Sequence, residues 1–232
     1  MDAMGNAADM QAPFTMIMPT EWERVSLLEP DDVVEAHIKR IARRSVGTSL
    51  PRDKAPIAIE QARRMLVDSV EDARAYNVHG LTLPVGLMER QIASGLSMFD
   101  FEYDTSDSRH VSLGMLRAGT IWSGLGGERF ETVDGLQGVR VDDFQEDASA
   151  FGGKPGIDAV LSLFAFPVPK RPHRWKALGF SAVLPTGSDE SVRELARGVG
   201  KAFAQTFRFV GLDDPDAQEY EERLQDVMRR RA

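Results

Sequence analysis

Two stretches, Ala159–Val168 (AVLSLFAFPV) and Trp175–Leu184 (WKALGFSAVL), decide how this chain folds. Each is dense in Val, Leu, Phe and Ala, yet far shorter than the ~18–20 apolar residues of a membrane span. The segment between them, Pro167–His173 (PVPKRPH), is polar and carries three prolines. Two strong strands, Val160–Phe166 and Trp175–Val183, joined without an intervening helix imply antiparallel pairing.

The same texture extends upstream to Asn77. Short apolar or alternating runs are separated by Gly, Pro, Asp and Ser, and the strand candidates are Val78–Leu83, Gln91–Phe101, Val111–Ala118, Arg129–Val133 and Gly138–Phe144. Asp134-Gly135 between two of them is a hairpin-turn signal. Further upstream, Asp31–Val46 reads as a helix. Val33, Val34, Ile38 and Ile41 form its stripe, with acids in the first turn and arginines in the last, as the helix dipole favours. Ile57–Tyr76 reads as a longer helix, with Ile59, Ala62, Leu66, Val70 and Ala73 at helical spacing and Pro56 at its start. Phe14–Met18 (FTMIM) alternates and stops at Pro19, which predicts a strand paired with one around Arg24–Leu28. Downstream, Ser188–Phe209 reads as a third helix. Ser188 is its expected cap, and Val192, Leu195, Ala196, Val199 and Phe203 form its apolar face. Gly198 and Gly200 within it are explained by close approach to the sheet.

These elements predict an α+β fold: a twisted antiparallel β-sheet of about five to seven strands, flanked by helices as an α/β/α sandwich. Residues 14–211 form one domain, after a flexible tail at 1–13 and before a charged helical tail at 212–232.

The chain has 232 residues, with 28 Lys and Arg against 36 Asp and Glu, hence a net charge of −8. It has no cysteine, which removes disulfides, thiolate metal sites and cysteine nucleophiles together. An acidic balance argues against nucleic acid as a partner, because neutralising phosphates requires a basic surface. No run is long and apolar enough to insert into a membrane, and Met1–Pro13 has no positive start of the secretory kind. The expected location is the cytoplasm.

Motifs of chemistry are sparse. Gly124, Gly126 and Gly127 (SGLGGERF) precede a predicted strand rather than a helix, so a loop is the better reading than a phosphate site. Gly152-Gly153-Lys154-Pro155 lacks the Ser or Thr of a nucleotide loop. His37, His79, His110 and His173 show no ligand spacing. Asp100, Glu102 and Asp104 (DFEYD) share one strand face. They are read as a solvated face, with Phe99, Phe101 and Tyr103 on the buried side. A hard cation held by the three carboxylates is the sharper alternative. Asp142 and Asp143 are read as solvated in the same way. No catalytic residue, metal ligand or cofactor is expected.

Three stretches together resemble a known pattern. FTMIMPTEWERV, with its apolar strand, proline and tryptophan, resembles the opening of the Mog1/PsbP-like superfamily. The Ala159–Val168 and Trp175–Leu184 pair is similar to its late strand hairpin. SDESVRELARGVGKAFAQTFRF is similar to its closing helix. The resemblance is to a bacterial, actinobacterial member, and it implies the α/β/α sandwich. That superfamily includes binding modules: photosystem assembly subunits, a small-GTPase partner, actinobacterial lipoproteins and chaperones of secreted effectors. The lipoprotein cysteine is missing here.

The expected function is therefore a non-enzymatic protein-binding module, a chaperone or adaptor, in the setting of a secretion or toxin system by resemblance. Its anchors would be aromatic side chains left partly exposed on the sheet: Trp22, Trp122, Trp175 and Phe166. The partner is expected to be a protein, and self-assembly stays open. Two alternatives stand beside this. One is a small-ligand binder or enzyme using a cavity between sheet and helices. The other is a structural subunit joined through the charged C-terminal tail.

Overall fold

The structure is a computed structural model and describes residues 12–19, 21–46, 50–85, 95–104, 128–146, 157–171 and 174–210. The predicted strand 111–118, the two glycine-rich loops, Trp122, His110, His173 and the tail 212–232 lie outside these residues.

The strands in chain order are β1 (Phe14–Thr15), β2 (Glu23–Ser26), β3 (Gly80–Leu83), β4 (Leu96–Asp104), β5 (Glu128–Glu131), β6 (Gln137–Gln145), β7 (Ile157–Pro167), β8 (Arg174–Pro185) and β9 (Arg208–Phe209). Three helices lie among the described residues: α1 (Asp31–Val46), α2 (Ala55–Ala75) and α3 (Glu190–Gln205). A seven-stranded sheet has the order β2-β3-β4-β8-β7-β6-β5, and β1 and β9 form a separate two-stranded ladder. The fold is α+β with a large antiparallel sheet, as the strand and helix patterns predict. The chain divides into two compact units, Met18–Asp100 and Met1–Ile17 with Phe101–Ala232, so the division runs through β4.

In the Met18–Asp100 unit, β2 and β3 pair antiparallel, as do β3 and β4. Helix α1 starts on two acids and ends on two arginines, and it buries Val34, Ile38, Ile41 and Ala42. Val33, expected on that stripe, is exposed. Helix α2 buries Leu66 and Val70, and Ile59, Ala62 and Ala73 of the predicted stripe pack on the same core. Val25, Leu27, Leu81 and Val85 complete that core. Arg24 reaches across to Asp100, its Nε donating to Oδ1 at 3.0 Å and its Nη2 to Oδ2 at 3.2 Å. Gly80 lies beneath this bridge. A Cβ there would stand 2.4 Å from both the Arg24 guanidinium and the Asp100 carboxylate, so no other residue fits.

In the other unit, β7 and β8 pair over eleven registered positions from Ile157↔Pro185 to Pro167↔Trp175. Lys170 takes a left-handed conformation in the connection between them. Strand β6 joins β7 from Val139↔Ala165 to Gln145↔Ala159, and the β5–β6 hairpin turns through Asp134-Gly135, where Gly135 has φ +83°. Alternation along β7 separates two apolar faces. Phe164 and Phe166 pack with Leu178, Phe130, Ala204 and Phe207 on one. Ala165 packs with Val139, Val141 and Trp175 on the other.

Strand β1 does not pair with the segment after Trp22. It pairs antiparallel with β9, Phe14 opposite Phe209 and Thr15 opposite Arg208. The physical reason is aromatic. Phe14 lies 5.3 Å from Phe207, which stacks on Phe166 at 4.6 Å. The first strand therefore closes over a cluster built by the last.

Candidate functional site

The DFEYD segment lies on β4, and its acids are not a solvated face. Asp100 is 2% exposed and Glu102 6% exposed, while Phe101 is also buried, so the strand is enclosed on both sides. The reason is that each acid meets a buried or half-buried base. Asp100 is bridged by Arg24, as described above. Glu102 faces Lys176 of β8, whose Nζ is 4.0 Å away, and Arg174, whose Nη1 is 3.4 Å away. The amide of Ala12 donates to Glu102 Oε1 at 2.5 Å. Lys176 is 0% exposed and lies 4.5 Å from the centre of the Phe14 ring. The pair thus fastens the N-terminal segment at two points, a carboxylate under Ala12 and an ammonium under Phe14.

Burial pushes the Glu102 carboxyl above its usual range, and Lys176, the Ala12 amide and Arg174 oppose that shift. A carboxyl and ammonium enclosed together resemble acid–base machinery, but both charges are spent on internal contacts and Lys176 offers no surface to a substrate. Among the described residues no group of three His, Cys, Asp or Glu is placed to hold a metal ion.

A second buried acid, Asp158, anchors the start of α3. It accepts from the Gly187 amide at 3.2 Å and the Thr186 hydroxyl at 3.4 Å. Arg193 of α3 turns inward to it, with Nη2 3.9 Å from Oδ2, and its guanidinium lies 3.8 Å from the Phe144 ring. Asp142 and Asp143, expected to be solvated, are half-buried, and Asp142 accepts from Arg140 and from the hydroxyl of the fully buried Ser162.

The aromatic anchors suggested by sequence are core residues. Trp22, Trp175 and Phe166 are all buried, Phe166 between Phe130 and Phe207 and Trp175 stacked on Tyr103. They present no face to a partner. Trp122 lies outside the described residues. Among the described histidines, His37 sits beside Arg40 and 3.7 Å from Glu23, and burial and Arg40 both hold its pKa down.

An exposed apolar surface lies instead on α3. The helix is capped by Asp189, whose side chain accepts from the Val192 amide, and not by Ser188, whose hydroxyl donates to Pro185 O. Its inner face is Ala196, Gly200, Phe203 and Ala204. A Cβ on Gly200 would stand 2.8 Å from the Phe180 ring, which explains this glycine as close approach. Gly198 has a different reason. It faces open space, with nothing within 4 Å of an added Cβ. It belongs to an outer row, Val192, Leu195, Val199 and Ala202, at alternating three- and four-residue steps. Leu195 is 70% exposed, Val192 and Ala202 are exposed, and Val199 is half-exposed.

The row continues beyond the helix. The Ile17 amide donates to Thr206 Oγ1 at 3.0 Å, and the Val133 amide donates to Gln205 O at 2.8 Å. Both side chains stand at the C-terminal turn of α3, Ile17 74% and Val133 73% exposed. The pattern alone assigns Val192, Leu195 and Val199 to the same face as Ala196 and Phe203. The available signal was the width of the apolar arc, too broad for a single contact. No protein family, no characterised protein and no solved structure matches this chain.

Proposed function

We propose that this chain is a non-enzymatic protein-binding module, of the chaperone or adaptor kind that its resemblance implies, and that the outer face of α3 is its contact surface. One observation carries this reading: the row Val192, Leu195, Val199 and Ala202, extended by Ile17 and Val133, is apolar and exposed on a helix whose inner face is already packed. Scattered exposed apolar residues are ordinary, but a continuous row at helical spacing is the pattern a partner helix or groove reads. Its rim is charged, with Glu190, Glu194 and Lys201 exposed beside it, as in interfaces that combine an apolar centre with a polar edge.

The test is capture of a tagged chain coexpressed with an untagged copy in its native host, with Leu195→Glu as comparison and circular dichroism to show that the variant folds. A stoichiometric protein partner, an untagged copy included, held by the parent and lost from the variant supports the reading. Equal recovery by both chains, or recovery of the tagged chain alone with a bound metabolite, overturns it.

A further inference from the structure

We infer that the occupant of this face is a second copy of the chain, with the two α3 helices packed antiparallel about a twofold axis near Arg197 and Gly198. The inference rests on the protein-binding reading above and names the partner. Symmetric pairing of identical patches is the commonest form of soluble oligomer, and three features of α3 fit it.

The first is spacing. Val192, Leu195, Val199 and Ala202 follow the three-four-three rhythm of a helix–helix seam. The second is size. The row is tall at its start, with Val192 and Leu195, and low towards its end, with Gly198 and Ala202. Antiparallel pairing sets Val192 over Ala202 of the other copy and Leu195 over Val199. Ile17 and Val133, held at the end of the helix, then flank the incoming Val192. Parallel pairing would set tall against tall and leave a gap along Gly198 and Ala202. The open space at Gly198 lets the two backbones approach at the centre.

The third feature is charge. The exposed charges of the first half are acidic, Asp189, Glu190 and Glu194, while Arg193 turns inward to Asp158. Those of the second half are basic, with Arg197 followed by Lys201 and Arg208. Antiparallel pairing brings each acidic half beside the basic half of its mate, and it also opposes the two helix dipoles.

The chain has no cysteine, so one introduced thiol reports the geometry by itself. In sedimentation velocity the full chain is expected as a monomer–dimer equilibrium, and Leu195→Glu raises the dimer dissociation constant at least about tenfold without loss of helix signal. Under mild oxidation, Gly198→Cys, beside the axis, gives a disulfide-linked dimer. Val192→Cys does not, because antiparallel mates at that position are offset by ten residues, about 15 Å, beyond the ~7 Å reach of a disulfide. Efficient cross-linking through Val192→Cys overturns the antiparallel arrangement. A chain that stays monomeric at every concentration overturns self-pairing. If that monomer still holds a different protein that Leu195→Glu releases, the protein-binding reading survives. If it holds none, both fail.

Discussion

At the residue scale the chain's most consequential pair is Glu102 and Lys176, enclosed 4.0 Å apart in the unit that contains β8. Losing one partner of a buried pair costs about 3–5 kcal/mol, whereas replacing both with apolar groups of similar volume is often neutral. Lys176→Met is therefore expected to destabilise by about 3 kcal/mol at neutral pH, and by less in acid, where Glu102 escapes by taking up a proton. Adding Glu102→Leu should recover most of that loss in urea denaturation. No recovery in the double variant would mean that the Ala12 contact, and not the pair, carries the energy. The pH dependence has a definite sign. The folded Glu102 carboxyl titrates above its ordinary 4.5 because of burial. Stability from this group is thus complete below that value and is lost as pH rises through the folded pKa. The stability difference between the parent and Glu102→Gln should shrink as pH rises above the ordinary value, and a difference that grows instead would contradict the shift. Sequence reading misplaced Glu102 because a lone acid in an alternating strand looks solvated until its neighbour strand is known. The usable signal was a lysine inside WKALGF, which is otherwise apolar.

At the scale of elements, helix positions are legible and faces are less so. The limits of α1 follow from its acids, arginines and apolar spacing, and α2 follows from Pro56 and a stripe that is in fact packed. Helix α3 was legible as a helix, but its apolar residues divide between two faces that spacing alone merges. Its two glycines separate them. Gly200→Ala would drive a methyl group into the Phe180 ring at 2.8 Å, and overpacking of this kind costs about 1–3 kcal/mol. Gly198→Ala adds its methyl in open space and removes a flexible residue from an exposed helix interior, a gain of about 0.8–1.0 kcal/mol. Thermal melts at low concentration, where the helix is unpaired with any second copy, should show opposite shifts. Shifts of the same sign would refute the assignment of inner and outer faces. The pairing of β1 was not legible for a different reason. Local alternation identifies a strand but carries no information about a partner nearly two hundred residues away, and that choice was made by the aromatic contact of Phe14 with Phe207.

At the scale of the whole molecule, the acidic excess and the α3 seam act on self-association in opposite directions. Two copies of net charge −8 repel each other at long range, over about 30 Å at ~0.01 M ionic strength. The contacts between the acidic and basic halves of α3 act only across the seam, and exposed pairs of that kind contribute about 0–1 kcal/mol each. Raising the ionic strength to about 0.15 M shortens the screening length to about 8 Å, which removes most of the long-range repulsion and leaves apolar contact untouched. Salt added from a low level should therefore tighten the dimer, read as a fall in its dissociation constant by sedimentation equilibrium. If the constant rises instead, charge pairing outweighs the apolar row. Val192, Leu195 and Val199 would then be a rim rather than the centre of the contact. The Leu195→Glu variant separates those outcomes again, because a seam held by charge would survive that substitution far better than one held by burial.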